Sequence, residues 1–123
     1  MGSIFDSHAH YDDTAFDADR DELLTALPQG GVCGVINAAS DVASAHRSLA
    51  LADRYPYIFA AVGIHPEAAN TYTAESIATL EALVAHPRAV AIGEIGLDYH
   101  WEDNPPRDVQ RACFEAQLQL AKN

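Results

Sequence analysis

Four strand-length apolar runs, each followed by a stretch with helical spacing, constrain this chain more than any other feature. The runs are residues 4–6, 32–37, 58–64 and 90–92. Their apolar character is continuous rather than alternating, which is the pattern of strands covered on both faces. The stretches between them predict helices over residues 17–27, 40–54, 73–85 and 107–121. Asp17 or Asp19 can cap the first, whose stripe is Leu23, Leu24 and Leu27, and Gly30-Gly31 stops it. Ser40 or Asp41 caps the second, with Ala43, His46, Ala50 and Leu51 as inward candidates and Pro56 closing it. Thr73 caps the third, with Ile77, Leu80, Leu83 and Val84 as its stripe. Val109, Cys113, Phe114, Leu118 and Ala121 are the apolar positions of the fourth. Strand–helix alternation four times over means parallel βα units with right-handed crossovers. Four such units make an α/β fold, either an open sheet or half of an eight-unit barrel.

Composition narrows the function. Hydrophobic residues are 49% of the 123, enough for a core, so disorder is not expected. No apolar run is long enough to span a membrane, and no basic segment leads an apolar one at the start, so neither a membrane partner nor a signal peptide is expected. Cys33 and Cys113 stand in no metal spacing and fall in apolar contexts, which predicts two buried free thiols in a reducing, cytoplasmic setting. The formal net charge is −11, and Lys122 is the one lysine. Such a chain has no broad basic footprint for nucleic acid. If it handles phosphodiesters, bound cations must supply the positive charge locally.

The residues that carry chemistry gather at strand ends. The first run passes straight into Asp6-Ser7-His8-Ala9-His10. Alternate residues of a strand share a face, so Asp6, His8 and His10 point the same way, and two imidazoles so placed can grip a divalent ion. No glycine-rich phosphate loop stands there, which argues against a dinucleotide fold. His65 follows the third run, and Glu94 and Asp98 follow the fourth within Gly93-Glu94-Ile95-Gly96-Leu97-Asp98. In a barrel the carboxyl ends of the strands are where active sites assemble. His8 and His10 are expected as metal ligands and Glu94 as a carboxylate able to bridge two ions. Asp6 would orient an imidazole or touch the metal itself. Nitrogen and oxygen donors without thiolates suit zinc, manganese or magnesium. Two such ions would activate water and stabilise a phosphoryl transition state. His65 would contact a phosphate or donate to the leaving group, and Asp98 would fix a ligand or a loop. His46 reads as a surface or packed histidine of helix two, and His86, which ends helix three, as solvent-side.

Three stretches taken together carry a family resemblance. Phe5-Asp6-Ser7-His8-Ala9-His10, Gly63-Ile64-His65-Pro66-Glu67 and Gly93-Glu94-Ile95-Gly96-Leu97-Asp98-Tyr99 resemble the signatures of the TatD family of metal-dependent hydrolases, described as deoxyribonucleases. The segment Phe114-Glu115-Ala116-Gln117-Leu118-Gln119-Leu120-Ala121 is similar to that family's fourth helix. The likeness runs through essentially the whole chain, in order. It implies a TIM-type barrel, two divalent metals, His8, His10 and Glu94 as ligands, and a phosphodiester substrate such as DNA. It also implies eight βα units, with two further histidines and an aspartate in the second four.

This chain has four units. It therefore reads as residues 1–123 of an N-terminal half-barrel, expected to bind metal weakly and to cleave little by itself. Its first and fourth strands would have open edges through which it could self-associate. Two rivals follow. One is another metallohydrolase of the same superfold; some of those carry a carboxylated lysine at strand four, where this chain has Glu94. The other is a noncatalytic half-barrel that pairs with a second chain.

Overall fold

A computed structural model describes residues 3–123. Its elements alternate as expected: β1 (Ile4–Ala9), α1 (Arg20–Ala26), β2 (Val32–Ala38), α2 (Val42–Arg54), β3 (Ile58–Val62), α3 (Ala74–Leu83), β4 (Ala89–Ile92) and α4 (Arg107–Lys122). The strands form one parallel sheet in the order β1-β2-β3-β4. This is the four-unit α/β arrangement read from the sequence. Strand β1 extends beyond Asp6 through His8, so the first histidine belongs to the strand itself.

The helix starts follow from local chemistry. Asp41 caps α2 by accepting the Ser44 amide at 2.7 Å. Thr73 caps α3 reciprocally with Ser76. The first helix is shorter than expected. Asp19 makes no side-chain cap, and Asp17 instead pairs with Arg20 at 2.7 Å. The preceding residues form a short 3₁₀ turn, Thr14–Phe16.

The core lies between the sheet and its helices. Ala45 and Leu49 of α2, Leu80 of α3 and Cys113 of α4 close on Ala60, Val62 and Ile64. A second cluster joins Leu24, Val35, Ala52, Tyr55 and Ile58. Helix α2 presents a face other than the expected one, and both α2 and α4 bury polar residues. In α2 the buried residues are Ser44, Ala45, Ser48, Leu49 and Ala52, whereas Ala43, His46 and Ala50 are exposed. In α4 they are Gln110, Cys113 and Gln117, and Leu118 is exposed. The cause is the same in both helices: polar side chains point inward because they bond to other parts of the chain, and a search for apolar stripes passes over them.

Burial of the strands is unequal. Residues of β2 and β3 are mostly buried, while Ile4 and Phe5 of β1 and Val90 of β4 are half exposed or more. The expectation of strands covered on both faces thus holds only for the inner pair. Cys33, expected to be buried, is exposed; its thiol donates to the Ile4 carbonyl of the uncovered strand β1 at 3.3 Å. Cys113 is buried as expected. His46 is exposed, and His86 is half-buried, paired with Asp53 at 2.8 Å.

Candidate metal centre

His8 and His10 sit at the end of β1, and Glu94 follows β4. These are the outermost strands of the sheet. Three strand spacings of a flat sheet would put them roughly 14 Å apart. Yet His8 Nε2 and His10 Nε2 are each 3.5 Å from Glu94 Oε2, and 3.2 Å from one another. The sheet must curl toward closure to bring them together. Glycine permits part of this. A Cβ on Gly63 would lie 3.0 Å from the Gly93 backbone and 2.9 Å from Ile95, so only glycine lets the ends of β3 and β4 approach so closely. At Gly93 an added Cβ would meet only ordinary contact, 3.5 Å from Ala61, so the crowded position is Gly63. Gly96, with φ of 146°, turns the chain onward.

The three donors fit one ion. Two ligands each about 2.0–2.1 Å from a tetrahedral zinc stand about 3.3–3.4 Å apart. The triangle of 3.2, 3.5 and 3.5 Å is close to one face of such a polyhedron. Within the described residues these three side chains form a group able to hold a metal. His10 is further oriented: its Nδ1 donates to the Ala38 carbonyl at 2.9 Å, leaving the Nε2 lone pair toward the cluster.

His65 stands beside them, with Nε2 3.8 Å from Glu94 Oε1. Its Nδ1 accepts the Glu67 amide at 3.0 Å, so in the neutral ring the proton resides on Nε2, facing Glu94. The backbone behind it is clamped. Gln117 of α4, fully buried, accepts from the Ile64 amide at 2.6 Å and donates to the Ile64 carbonyl at 3.1 Å. Seven residues earlier, on the same helix face, Gln110 bonds both the amide and the carbonyl of Asp98.

Two expected residues remain outside the cluster. Asp6 turns back on the His8 amide at 3.1 Å. The Asp98 carboxylate accepts the His100 amide at 3.0 Å, and Asp98 does not line the cleft shared by His10, His65 and Glu94.

One polar group escaped the sequence reading. Asp12, between β1 and α1, is buried and accepts from Asn37 Nδ2 at 2.9 Å, Ser44 Oγ at 3.1 Å and Arg47 Nε at 3.3 Å. Its partners lie 25 to 35 residues away, so no local pattern announced it.

Residues 5–123 match the family described as TatD related DNase. The chain belongs to the TatD-related DNase family. Its relatives include YabD of Bacillus subtilis, named an uncharacterized metal-dependent hydrolase, 38% identical over 97% of this chain and 46% of that protein. Another is TatD of Cronobacter turicensis, named a 3'-5' ssDNA/RNA exonuclease, 36% identical over 96% of this chain and 44% of that protein. The crystal structure of YjjV, a TatD homologue from Escherichia coli K12, superposes with a TM-score of 0.86 at 34% identity, covering 97% of this chain and 46% of that one. The TatD fold of this chain is thus shared along its length, and the chain spans about half the length of the curated relatives it matches. No helix among the described residues is long and apolar enough to cross a membrane.

Proposed function

We propose that this chain forms four of the eight units of a TatD-type barrel and carries part of a metal-dependent phosphodiesterase site acting on DNA. The observation that carries the reading is the convergence of His8, His10 and Glu94, donors from opposite edges of the sheet, onto one ion-sized triangle. The relatives named exonucleases and metal-dependent hydrolases support the reaction class. His8, His10 and Glu94 would hold a first divalent cation, zinc, manganese or magnesium. Glu94 would also contribute to holding a second cation. The chemistry such cations supply when bound is activation of water and neutralisation of phosphoryl charge. The chain's own residues do the rest. Ala38 fixes the His10 ring, so its Nε2 is presented without rearrangement. His65 offers its Nε2–H to a phosphoryl or leaving-group oxygen, while Gln117 holds its strand end. Asp98 serves by fixing the loop that bears Glu94, through its bonds to His100, Asn104 and Gln110. The free thiols of Cys33 and Cys113 fit a cytoplasmic setting.

Calorimetric titration with zinc and manganese tests the site. One ion should bind, and Glu94→Gln or His10→Ala should weaken it by about 100-fold or more, at least the upper end of what outer-sphere losses cost. Binding that survives both substitutions would remove the proposed centre. Cleavage of single-stranded DNA by the 123-residue chain should be weak and metal-dependent, whereas cleavage of a lactone or amide in its place would favour another reaction on the same superfold.

A second reading rests on the exposed apolar residues of the outer strands, Ile4, Phe5 and Val90. Through these edges the chain would pair with a second copy or a complementary half-barrel. A sedimenting monomer with a sharp cooperative unfolding transition would exclude obligatory pairing.

A further inference from the structure

The cleft beside the candidate metal centre has a volume of about 490 Å³ and is lined by His10, Asp12, Ser40, Arg47, His65 and Glu94, among others. Asp13 and Glu67 also line it, so its wall is acidic. Within the described residues, Arg47 is the one Lys or Arg side chain lining it. A polyanion approaching this wall, on a chain of net charge −11, is repelled except where a cation is held in place.

Arg47 is held at one end only. Its Nε donates to Asp12 Oδ2, while its two terminal nitrogens make no hydrogen bond within the described residues, and half of the side chain is exposed. The anchor is firm. The Asp12 side chain is 6% exposed, and Asn37 and Ser44 fix its two oxygens. Asn37 in turn donates to Ser48 Oγ and accepts the Tyr11 amide. Neutralising Asp12 uses one edge of the guanidinium and leaves the planar fork free. That fork matches the geometry of phosphate oxygens.

Building on the phosphodiesterase reading above, we infer that Arg47, aligned by Asp12, is a phosphate-binding arm that takes a backbone phosphate of the nucleic-acid strand next to the one at the cations. Ser40 and Thr14, residues of the same cleft, would flank that phosphate.

The test is binding of a fluorescent oligothymidylate to the protein in magnesium, read by anisotropy. The comparison ligand is the same strand with a neutral methylphosphonate backbone. Arg47→Met should weaken binding of the natural strand about tenfold or more, the scale of a lost charge-assisted hydrogen bond. The neutral strand should bind wild type and variant alike. Arg47→Lys keeps the charge beside Asp12 but not the fork, and should give an intermediate loss; it also keeps the test decisive if the methionine variant does not fold. Equal weakening for both strands, no change for either, or no strand binding by wild type would overturn the assignment. Metal affinity, measured separately, tells the two readings apart. Arg47-dependent binding without any cation site would leave the arm standing and remove the metal centre. Cation binding without an effect of Arg47 would do the reverse.

Discussion

The inner strands, β2 and β3, and the outer strands, β1 and β4, are built from similar apolar residues but do different work. Val35, Ile58, Ala60 and Val62 of the inner pair are fully buried, while Ile4, Phe5 and Val90 of the outer pair are 50% exposed or more. The three candidate metal donors come from the outer pair: His8 and His10 from β1, and Glu94 from the end of β4. The inner pair supplies what holds them. The Ala38 carbonyl fixes His10, the Ala39 carbonyl accepts the Glu94 amide at 2.8 Å, and Val62 accepts the Gly93 amide. Burial is concentrated in the middle of the sheet, and the candidate ligands stand at its edges. The two can therefore be damaged separately.

The largest expected effect tests that separation directly. Ile58→Ala empties a fully buried position on β3 and should cost about 2–5 kcal/mol of unfolding free energy. Ile4→Ala, at a position 57% exposed on β1, should cost within about 0.5 kcal/mol of nothing. Denaturant titrations of both variants provide the measurement. Equal losses would mean that the outer strands carry as much of the core as the inner ones, and the contrast would fail.

A smaller effect is expected where the inner region meets the site. Gln117→Met keeps the volume of a buried side chain but strips the Ile64 amide and carbonyl of their partners. A buried polar group left unpaired costs about 1–3 kcal/mol. The loss should appear both in the unfolding transition and as faster hydrogen exchange at Ile64, just ahead of His65. Unchanged exchange there would show that α4 does not hold the strand end.

The alternation of elements was legible because continuous apolar runs and helical spacing are local patterns. The positions of the candidate donors were legible for the same reason: His8 and His10 stand at strand period, and Glu94 follows the run of β4. What local pattern could not show was the inward polar side. Ser44, Ser48, Gln110 and Gln117 look like solvent positions until their distant partners are known, so the face of α2 was misjudged and the inward glutamines of α4 were passed over. Asp12 was overlooked for the same reason, since Asn37 and Arg47 reach it only after β2 and α2 have folded against the first connection. Cys33 misled in the opposite direction. Its neighbours in sequence are apolar, but its neighbour across the sheet is the uncovered edge β1.

The smallest effect probes how far the protection of the inner strands extends toward their feet. Tyr57 precedes β3, and its hydroxyl donates to the Leu24 carbonyl at 2.6 Å. Burial, with lesser contributions from the Tyr11 and Tyr55 phenols, pushes its pKa from 10.0 up to about 12. A pKa raised on folding means the native state keeps the proton more tightly than the unfolded chain. The associated stability is complete below pH 10 and is lost as pH rises toward 12. Burial also raises the Tyr11 and Tyr55 phenols, so ultraviolet absorbance of ionised tyrosine should show several late-titrating phenols, of which the one near pH 12 disappears in Tyr57→Phe. The variant should lose about 0.5–1.5 kcal/mol at neutral pH, the worth of one hydrogen bond, and its stability should fall less steeply above pH 10. A phenol that ionises with the exposed tyrosines would place the foot of β3 in solvent and shorten the inner region by its first turn of packing.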